Sequence, residues 1–391
     1  MKPTSFLLAS TALPLLAATV YGAGGFYGDP PDATHPWAIH DMNRPQPPRV
    51  EPGTFSSQEQ PGKPPADAIV LFDGSESAIV NWVNDKKPAE ATKWVVKDGS
   101  LQCVPGSGYV QSKLEFGDCQ LHIEWSAPSE VKGDSQGRGN SGVFLMGQVE
   151  VQVLDNYNNP TYADGFAGSV YGVNPPMANP LVRPGEWQVY DIVFRRPVFK
   201  GGQLVDPGYL TVFVNGVLVQ DHTPLEGGGG HKGRSKNRPF PEKGPLKLQD
   251  HGNPVRYRNI WYRPLPARAI EGGDTSVMSE EATAAKRAET AKTLREAAAK
   301  VEGKDKLLGL LEAMCYQQDA QSLNEVTTLA AGYAESVKAI PADKLESKKG
   351  EILQVHNALQ YMKKFNLLPA EFAATADLAA VVKAQEWEKK K

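Results

Sequence analysis

The stretch Gly139-Asn-Ser-Gly-Val-Phe-Leu-Met-Gly-Gln-Val-Glu-Val-Gln-Val-Leu-Asp155 decides the fold. From Gln148 onward it alternates Gln148, Glu150 and Gln152 with Val149, Val151 and Val153. Side chains of a strand point to opposite faces in turn, so the valines line one face of a sheet and the acid and amides the other. Any polar residues would satisfy a half-buried strand. Here they are long groups spaced to meet one ligand, which makes Glu150 and Gln152, with Asn140 just upstream, the first candidate constellation.

Strand signals continue on both sides of this stretch. Lys93–Val96 and Ser100–Val104 flank Asp98-Gly99, and Tyr209–Val214 and Val217–Gln220 flank Asn215-Gly216, both hairpin signatures. Cys119, Leu121, Ile123 and Trp125 alternate with Gln120, His122 and Glu124. Gly185–Phe194, Pro245–Asp250 and Val255–Arg263 complete a set of short strands between residues 67 and 266. With no helix signal between them they predict an antiparallel β-sandwich, and no internal repeat is present.

After residue 275 the strand signals stop and alanine, lysine and glutamate dominate. Leu307, Leu308, Leu310, Leu311, Met314 and Cys315 form one helical stripe, and Ile352, Val355, Leu359 and Met362 another. Residues 275–391 therefore predict a bundle of four or five helices, with Glu280–Lys300 as a polar arm leading to it. Residues 25–66, rich in proline and glycine, predict an extended linker. Its His35-Pro-Trp37 and His40-Asp-Met-Asn43 are specific enough to drape over the sandwich.

Lys2 and the apolar run Phe6–Val20, followed by small residues, predict a signal peptide over 1–24, with an uncleaved anchor as the alternative. The expected location is periplasmic or extracellular, with no membrane span after signal removal. A net charge of −3 over 391 residues gives no reason to expect nucleic acid or an anionic membrane surface as partner. Cys103, Cys119 and Cys315 allow one disulfide, Cys103 with Cys119, or three buried thiols. Glu226–Arg238 is glycine-rich and basic but lacks a phosphate loop's strand-to-helix context, so it reads as a rim loop and no nucleotide cofactor is expected.

Six runs together resemble the 3-keto-disaccharide hydrolase domain family: Gly-Asn-Ser-Gly-Val-Phe (139–144), Glu-Val-Gln-Val-Leu-Asp (150–155), Tyr-Ala-Asp-Gly (162–165), Gly-Glu-Trp-Gln-Val-Tyr-Asp (185–191), Asn-Gly-Val-Leu-Val-Gln-Asp (215–221) and Leu-Gln-Asp-His-Gly-Asn-Pro-Val-Arg-Tyr-Arg-Asn-Ile-Trp (248–261). The resemblance implies a concanavalin-like jelly-roll sandwich of bacterial, exported type that acts on glycosides or disaccharides oxidised at C3. An ordinary glycosidase needs two carboxylates about the bond. The strand offers one acid and one amide. A C3 ketone removes the need for the second acid, because it acidifies the C2 proton and permits elimination at C1 followed by hydration.

On that implication His251 is expected as base and Glu150 as its orienting partner, or the reverse. Arg258 or a bound divalent metal would stabilise the enolate. Asn140, Gln152, Asp155, Tyr171, Trp187 and Gln249 are the expected substrate-binding residues. The alternative function is a non-catalytic, lectin-like carbohydrate-binding module. The helical tail is a further candidate for docking a dehydrogenase that makes the keto sugar.

Overall fold

A computed structural model describes residues 25–274 and 277–388. The predicted signal peptide and the terminal Lys389–Lys391 lie outside the described residues. The chain divides into two units, one of residues 48–266 and one joining 267–388 to the amino-terminal segment up to Pro47.

The first unit contains fifteen strands: β1 (Ile69–Phe72), β2 (Trp82–Asn84), β3 (Val95–Lys97), β4 (Ser100–Gln102), β5 (Val110–Phe116), β6 (Cys119–Ser126), β7 (Ser141–Leu145) and β8 (Val149–Val153). They continue with β9 (Gln188–Arg195), β10 (Val198–Lys200), β11 (Gln203–Asp206), β12 (Tyr209–Val214), β13 (Val217–Pro224), β14 (Gly244–Leu248) and β15 (Arg256–Pro264). The larger sheet has the order β13-β12-β9-β6-β15-β4-β3, with β1 also on β15, and the smaller one β2-β5-β14-β7-β8. All pairings are antiparallel. The two predicted hairpin turns form, with Asp98, Gly99, Asn215 and Gly216 all at positive φ, as the tight turn requires.

The inner faces make one core. From the larger sheet come Leu121, Ile123, Trp125, Tyr190, Ile192 and Phe194, and from the smaller Val143, Leu145, Val149, Val151, Val153 and Leu248. Each of the three valines of β8 is fully buried, worth roughly 1.5–3 kcal/mol apiece against solvent. That burial fixes the strand's phase, because a one-residue slip would put Glu150 and Gln152 into the core. The three cysteines are buried free thiols. Fold class is therefore a β-sandwich followed by helices.

In the second unit, helices α1 (Glu280–Ala298), α2 (Gly303–Tyr316), α3 (Ala320–Lys338), the single turn α4 (Ala342–Leu345), α5 (Lys349–Lys364) and α6 (Ala373–Ala384) share a core of Leu307, Leu311, Val326, Ile352, Val355 and Leu378. The expected polar arm is α1, which packs into this bundle: Ala291 and Ala298 are fully buried. Alanine carries so little apolar surface that a helix packed through it reads as polar. None of the described helices is long and apolar enough to cross a membrane.

The segment expected as one linker divides between the units. Trp37 is buried in the helical core, Asn43 donates to Glu312 (2.7 Å) and Tyr316 (3.0 Å), and the Tyr316 hydroxyl donates to Asp41. The His-Pro-Trp and His-Asp-Met-Asn runs thus pack on helices, not on the sandwich as the sequence reading expected. Residues 48–66 belong to the sandwich unit.

Candidate active site

Glu150 stands on the outer face of the smaller sheet, on β8, opposite Phe144 of β7, while Gln152 faces Gly142. On the other side of β7, Gln249 donates its backbone N–H to the Gly142 carbonyl at 3.1 Å. The Glu150 carboxylate lies across Gly142: a Cβ there would collide with Oε1 and sit 3.1 Å from Cδ. Glycine at this strand position is what lets the acid reach over β7, between the two glutamines.

Around the carboxylate the amide nitrogens are taken and the oxygens are not. Gln152 Nε2 donates to Gln136 Oε1 at 3.0 Å, Asn140 Nδ2 to the Gln136 carbonyl at 2.7 Å, and Gln249 Nε2 to the Tyr109 hydroxyl at 2.7 Å. The buried Asn140 Oδ1, Gln152 Oε1 and Gln249 Oε1 have no hydrogen-bond partner among the described residues. Each buried orphan acceptor costs about 1–3 kcal/mol, which a donor-rich ligand such as a polyol would relieve. Gln249 is held from the core side as well. Tyr257 Oη donates to Ser141 Oγ at 2.7 Å, and Ser141 Oγ donates to the Gln249 carbonyl at 2.5 Å.

The Glu150 carboxylate has no hydrogen-bond or ion-pair partner among the described residues, and burial alone pushes it up to about 8. Burial chiefly, and the Glu150 charge in part, also raise the Tyr109 and Tyr171 phenols, so both remain protonated donors at neutral pH. Tyr171 Oη lies 2.7 Å from Tyr162 Oη and 3.2 Å from His231 Nδ1. His231 belongs to the glycine-rich loop, whose backbone at Gly229 and Gly230 closes on Tyr171 and Gly172. The predicted rim loop therefore stands beside the acid.

The remaining sequence candidates lie elsewhere. Strand β14 ends at Leu248, and Asp250 turns the chain by accepting from Gly108 N (2.9 Å) and Gly252 N (2.9 Å). His251 is consequently exposed on the turn and not in phase with Gln249. It lines a cavity of about 520 Å³ with Arg138, Asp155 and Asn253. There Asp155 accepts from Arg138 Nε (2.7 Å) and Tyr157 N (3.1 Å), so its carboxylate braces the loop.

Arg258 and Trp187 are on the other sheet. Asn259 at φ +50 makes a bulge in β15, so that Tyr257 before it and Ile260 after it face the core while Arg258 and Asn259 both turn outward to Glu124. The expected grouping of Arg258 with Glu150 and His251 is thus not brought together: the hydrophobic core separates the two sheet faces.

Glu124 was not singled out by the sequence reading beyond its place in an alternating strand. It is fully buried and accepts from Ser56 Oγ (2.6 Å), Arg258 Nε (2.7 Å) and Asn259 Nδ2 (2.8 Å), with His122 Nε2 at 3.4 Å. Burial works against its charge, but these partners outweigh it and hold the carboxyl below its ordinary value. Gln136 and Tyr109 were also missed; the only available signal was Gly142, a glycine inside a strand.

A divalent metal is poorly served here. Among the described residues no group of three or more His, Cys, Asp or Glu is placed to hold a metal ion, and the amide cluster receives one carboxylate, so the chemistry below is derived without a metal.

The sandwich is shared with known proteins. A candidate glycosyl hydrolase from Parabacteroides distasonis ATCC 8503 is similar at 44% identity and TM-score 0.53, over 57% of this chain and 93% of that one. Two others from the same organism align at 21% and 17% identity, each over 51% of this chain and 99% and 94% of theirs, with TM-score 0.36. No curated protein matches the chain. The domain described as 3-keto-alpha-glucoside-1,2-lyase-like matches residues 67–263, half of the chain. By this match and its β-sandwich, the chain belongs to this family of glycosyl-hydrolase-like, carbohydrate-active domains.

Proposed function

We propose that the smaller sheet's outer face cleaves glycosides oxidised at C3, with Glu150 as the group that moves the proton. The observation that carries this reading is a partly buried carboxylate with no partner among the described residues, lifted to about 8, on a floor of orphan amide oxygens. A base of near-neutral pKa matches the acidity of a proton beside a ketone.

The ionised Glu150 takes the C2 proton, and the C2–H electrons form an enolate with the C3 ketone. The enolate collapses toward C1, expels the C1–O electron pair, and leaves a 1,2-unsaturated 3-ketone. The proton on Glu150 passes to the departing oxygen. Water then adds its oxygen to C1 and a proton to C2, which makes the net reaction hydrolysis. Tyr109 accepts from Gln249, so its own O–H is free to donate to the developing enolate. The orphan oxygens of Asn140, Gln152 and Gln249 accept from sugar hydroxyls. His251, exposed on its turn, takes no proton in this scheme. Export by the amino-terminal signal and an oxidising partner that supplies the ketone belong to the same reading.

The test is turnover of a 3-keto-glucoside and of its unoxidised parent, by the wild-type chain and by Glu150→Gln. Cleavage of the keto sugar alone, lost in the variant, is expected. Unchanged turnover by Glu150→Gln would falsify the assignment, and binding of unoxidised sugar with no cleavage of either substrate would favour the lectin-like alternative.

A further inference from the structure

The larger sheet carries its own chamber, unrelated to the proton chemistry. Residues 53–65 arch over its outer face and enclose about 630 Å³ against His122, Glu124, Trp187, Asp191 and Trp261. That is the size of a small-molecule site.

The arch is built, not draped. Thr54 N donates to the Lys63 carbonyl (2.9 Å), Lys63 N to Thr54 Oγ1 (2.8 Å) and Gly62 N to Ser56 Oγ (2.6 Å), which closes a loop on itself. Ser56 anchors it to Glu124, and the Ser57 carbonyl accepts from Arg258. Gln58 grips the Trp187 backbone in both directions, accepting from its N–H (2.6 Å) and donating to its carbonyl (2.9 Å). A roof ordered in advance lowers the entropy a ligand must lose on entering.

The lining leaves specific groups unused. Trp261 stacks on His122 with centroids 4.9 Å apart and is buried, yet its indole N–H has no partner among the described residues. Lys63 has no carboxylate partner among them either. Asp191 gives Oδ1 to His122 at 2.7 Å and keeps 42% of its side chain exposed. An N–H donor, a cation and a carboxylate in one chamber suit neither a purely apolar guest nor a multiply charged one. Hydroxyl groups both donate and accept, so they match this mixture; the Trp187 indole, over whose ring Arg258 (4.3 Å) and Arg256 (5.2 Å) already lie, is the wall beside which the C–H face of a sugar ring would sit.

We propose that this chamber is a second, non-catalytic carbohydrate site that takes one neutral pyranose unit, with its C–H face on the tryptophan wall and its oxygens on Trp261 Nε1, Lys63 and Asp191. The proposal rests on the carbohydrate-active reading of the domain and not on the base role of Glu150. It would hold one sugar of a longer or neighbouring glycan while the opposite sheet works on another.

The full chain is titrated with trehalose and with sucrose, neither of them oxidised, by calorimetry and by saturation-transfer NMR. Binding is expected. Trp187→Ala should weaken it about tenfold, and Trp261→Phe, which keeps the ring packing and removes only the donor, about two- to tenfold. Lys63→Ala, on the exposed arch, tests the same chamber without touching the sheet. Lys292→Ala, on the exposed face of α1 and outside both sites, should leave this affinity unchanged. The proposal is overturned by absence of binding for both sugars, or by Trp261→Phe and Lys63→Ala titrating like the parent chain. Turnover of a 3-keto-glucoside is a separate readout, so failure here and failure of the Glu150 reading can be told apart.

Discussion

Two glutamates withdrawn from solvent, one on each outer face of the sandwich, end in opposite electrostatic states. Glu124 is saturated by Ser56, Arg258, Asn259 and His122, and is held ionised. Glu150 has lost water without gaining any partner among the described residues, and its carboxyl rises to about 8. Burial is common to both; satisfaction is not. A buried charge that is fully paired stabilises a fold feature, here the docking of residues 53–65. A buried acid left unpaired is a free-energy cost the fold has no use for, and such costs gather where protons move.

The sharpest way to break this contrast is to neutralise Glu150. Glu150→Gln should lower kcat/KM for a 3-keto-glucoside about 10²- to 10⁴-fold, the usual worth of a positioned proton-transfer group. In the wild type, kcat/KM should climb with pH through about 8 as the carboxyl ionises; a flat profile across that range counts against it. The opposite change, Glu124→Ala, should cost about 3–5 kcal/mol of stability, since it strands the buried Arg258 guanidinium. Denaturant unfolding measures this, and a loss under about 1 kcal/mol would mean the Glu124 network is a bystander.

Gly142→Ala probes geometry with the acid intact. An added methyl pushes the carboxylate off its place over β7, and a displacement of about 1 Å costs on the order of a hundredfold in rate. Unfolding midpoints close to wild type would separate this effect from general destabilisation.

The sequence made the alternating strands legible because one buried face fixes their phase. That holds for β8 and β6 alike, so Glu150 and Gln152 could be assigned to a common face from spacing alone. His251 and Arg258 were harder for local reasons. Asp250 ends β14 by accepting from Gly252 in a local turn and from Gly108 in a distant part of the chain, so alternation could not be extended as far as His251. Asn259 in the left-handed region inserts a bulge that turns two successive residues outward. Period-two reasoning assumes no bulge, and asparagine alone does not announce one. Residues 48–66 read as a connector because proline and glycine lower regular structure. The hydrogen bonds that make them a roof come from Ser56, Ser57 and Gln58, which carry no periodic signal.

The smallest expected effect tests whether the two faces are independent. Burial opposes a charge on His122, but Asp191 and then Glu124 outweigh it and raise the imidazole to about 9. A group raised in the folded state contributes stability that is complete below its ordinary value of 6.5 and fades as pH rises through about 9. Glu150 also works against stability as pH rises, but in a lower window. Its cost is absent below the ordinary 4.5, grows as the unfolded chain ionises first, and is complete by about 8. His122→Gln should therefore flatten the fall in stability between about 6.5 and 9, and Glu150→Gln the fall between about 4.5 and 8. With a hydrophobic core between them, the double variant should equal the sum of the singles within about 0.5 kcal/mol at every pH. A larger coupling would mean that the two sheets sense each other's charge, and the division into a bracing face and a reacting face would have to be redrawn.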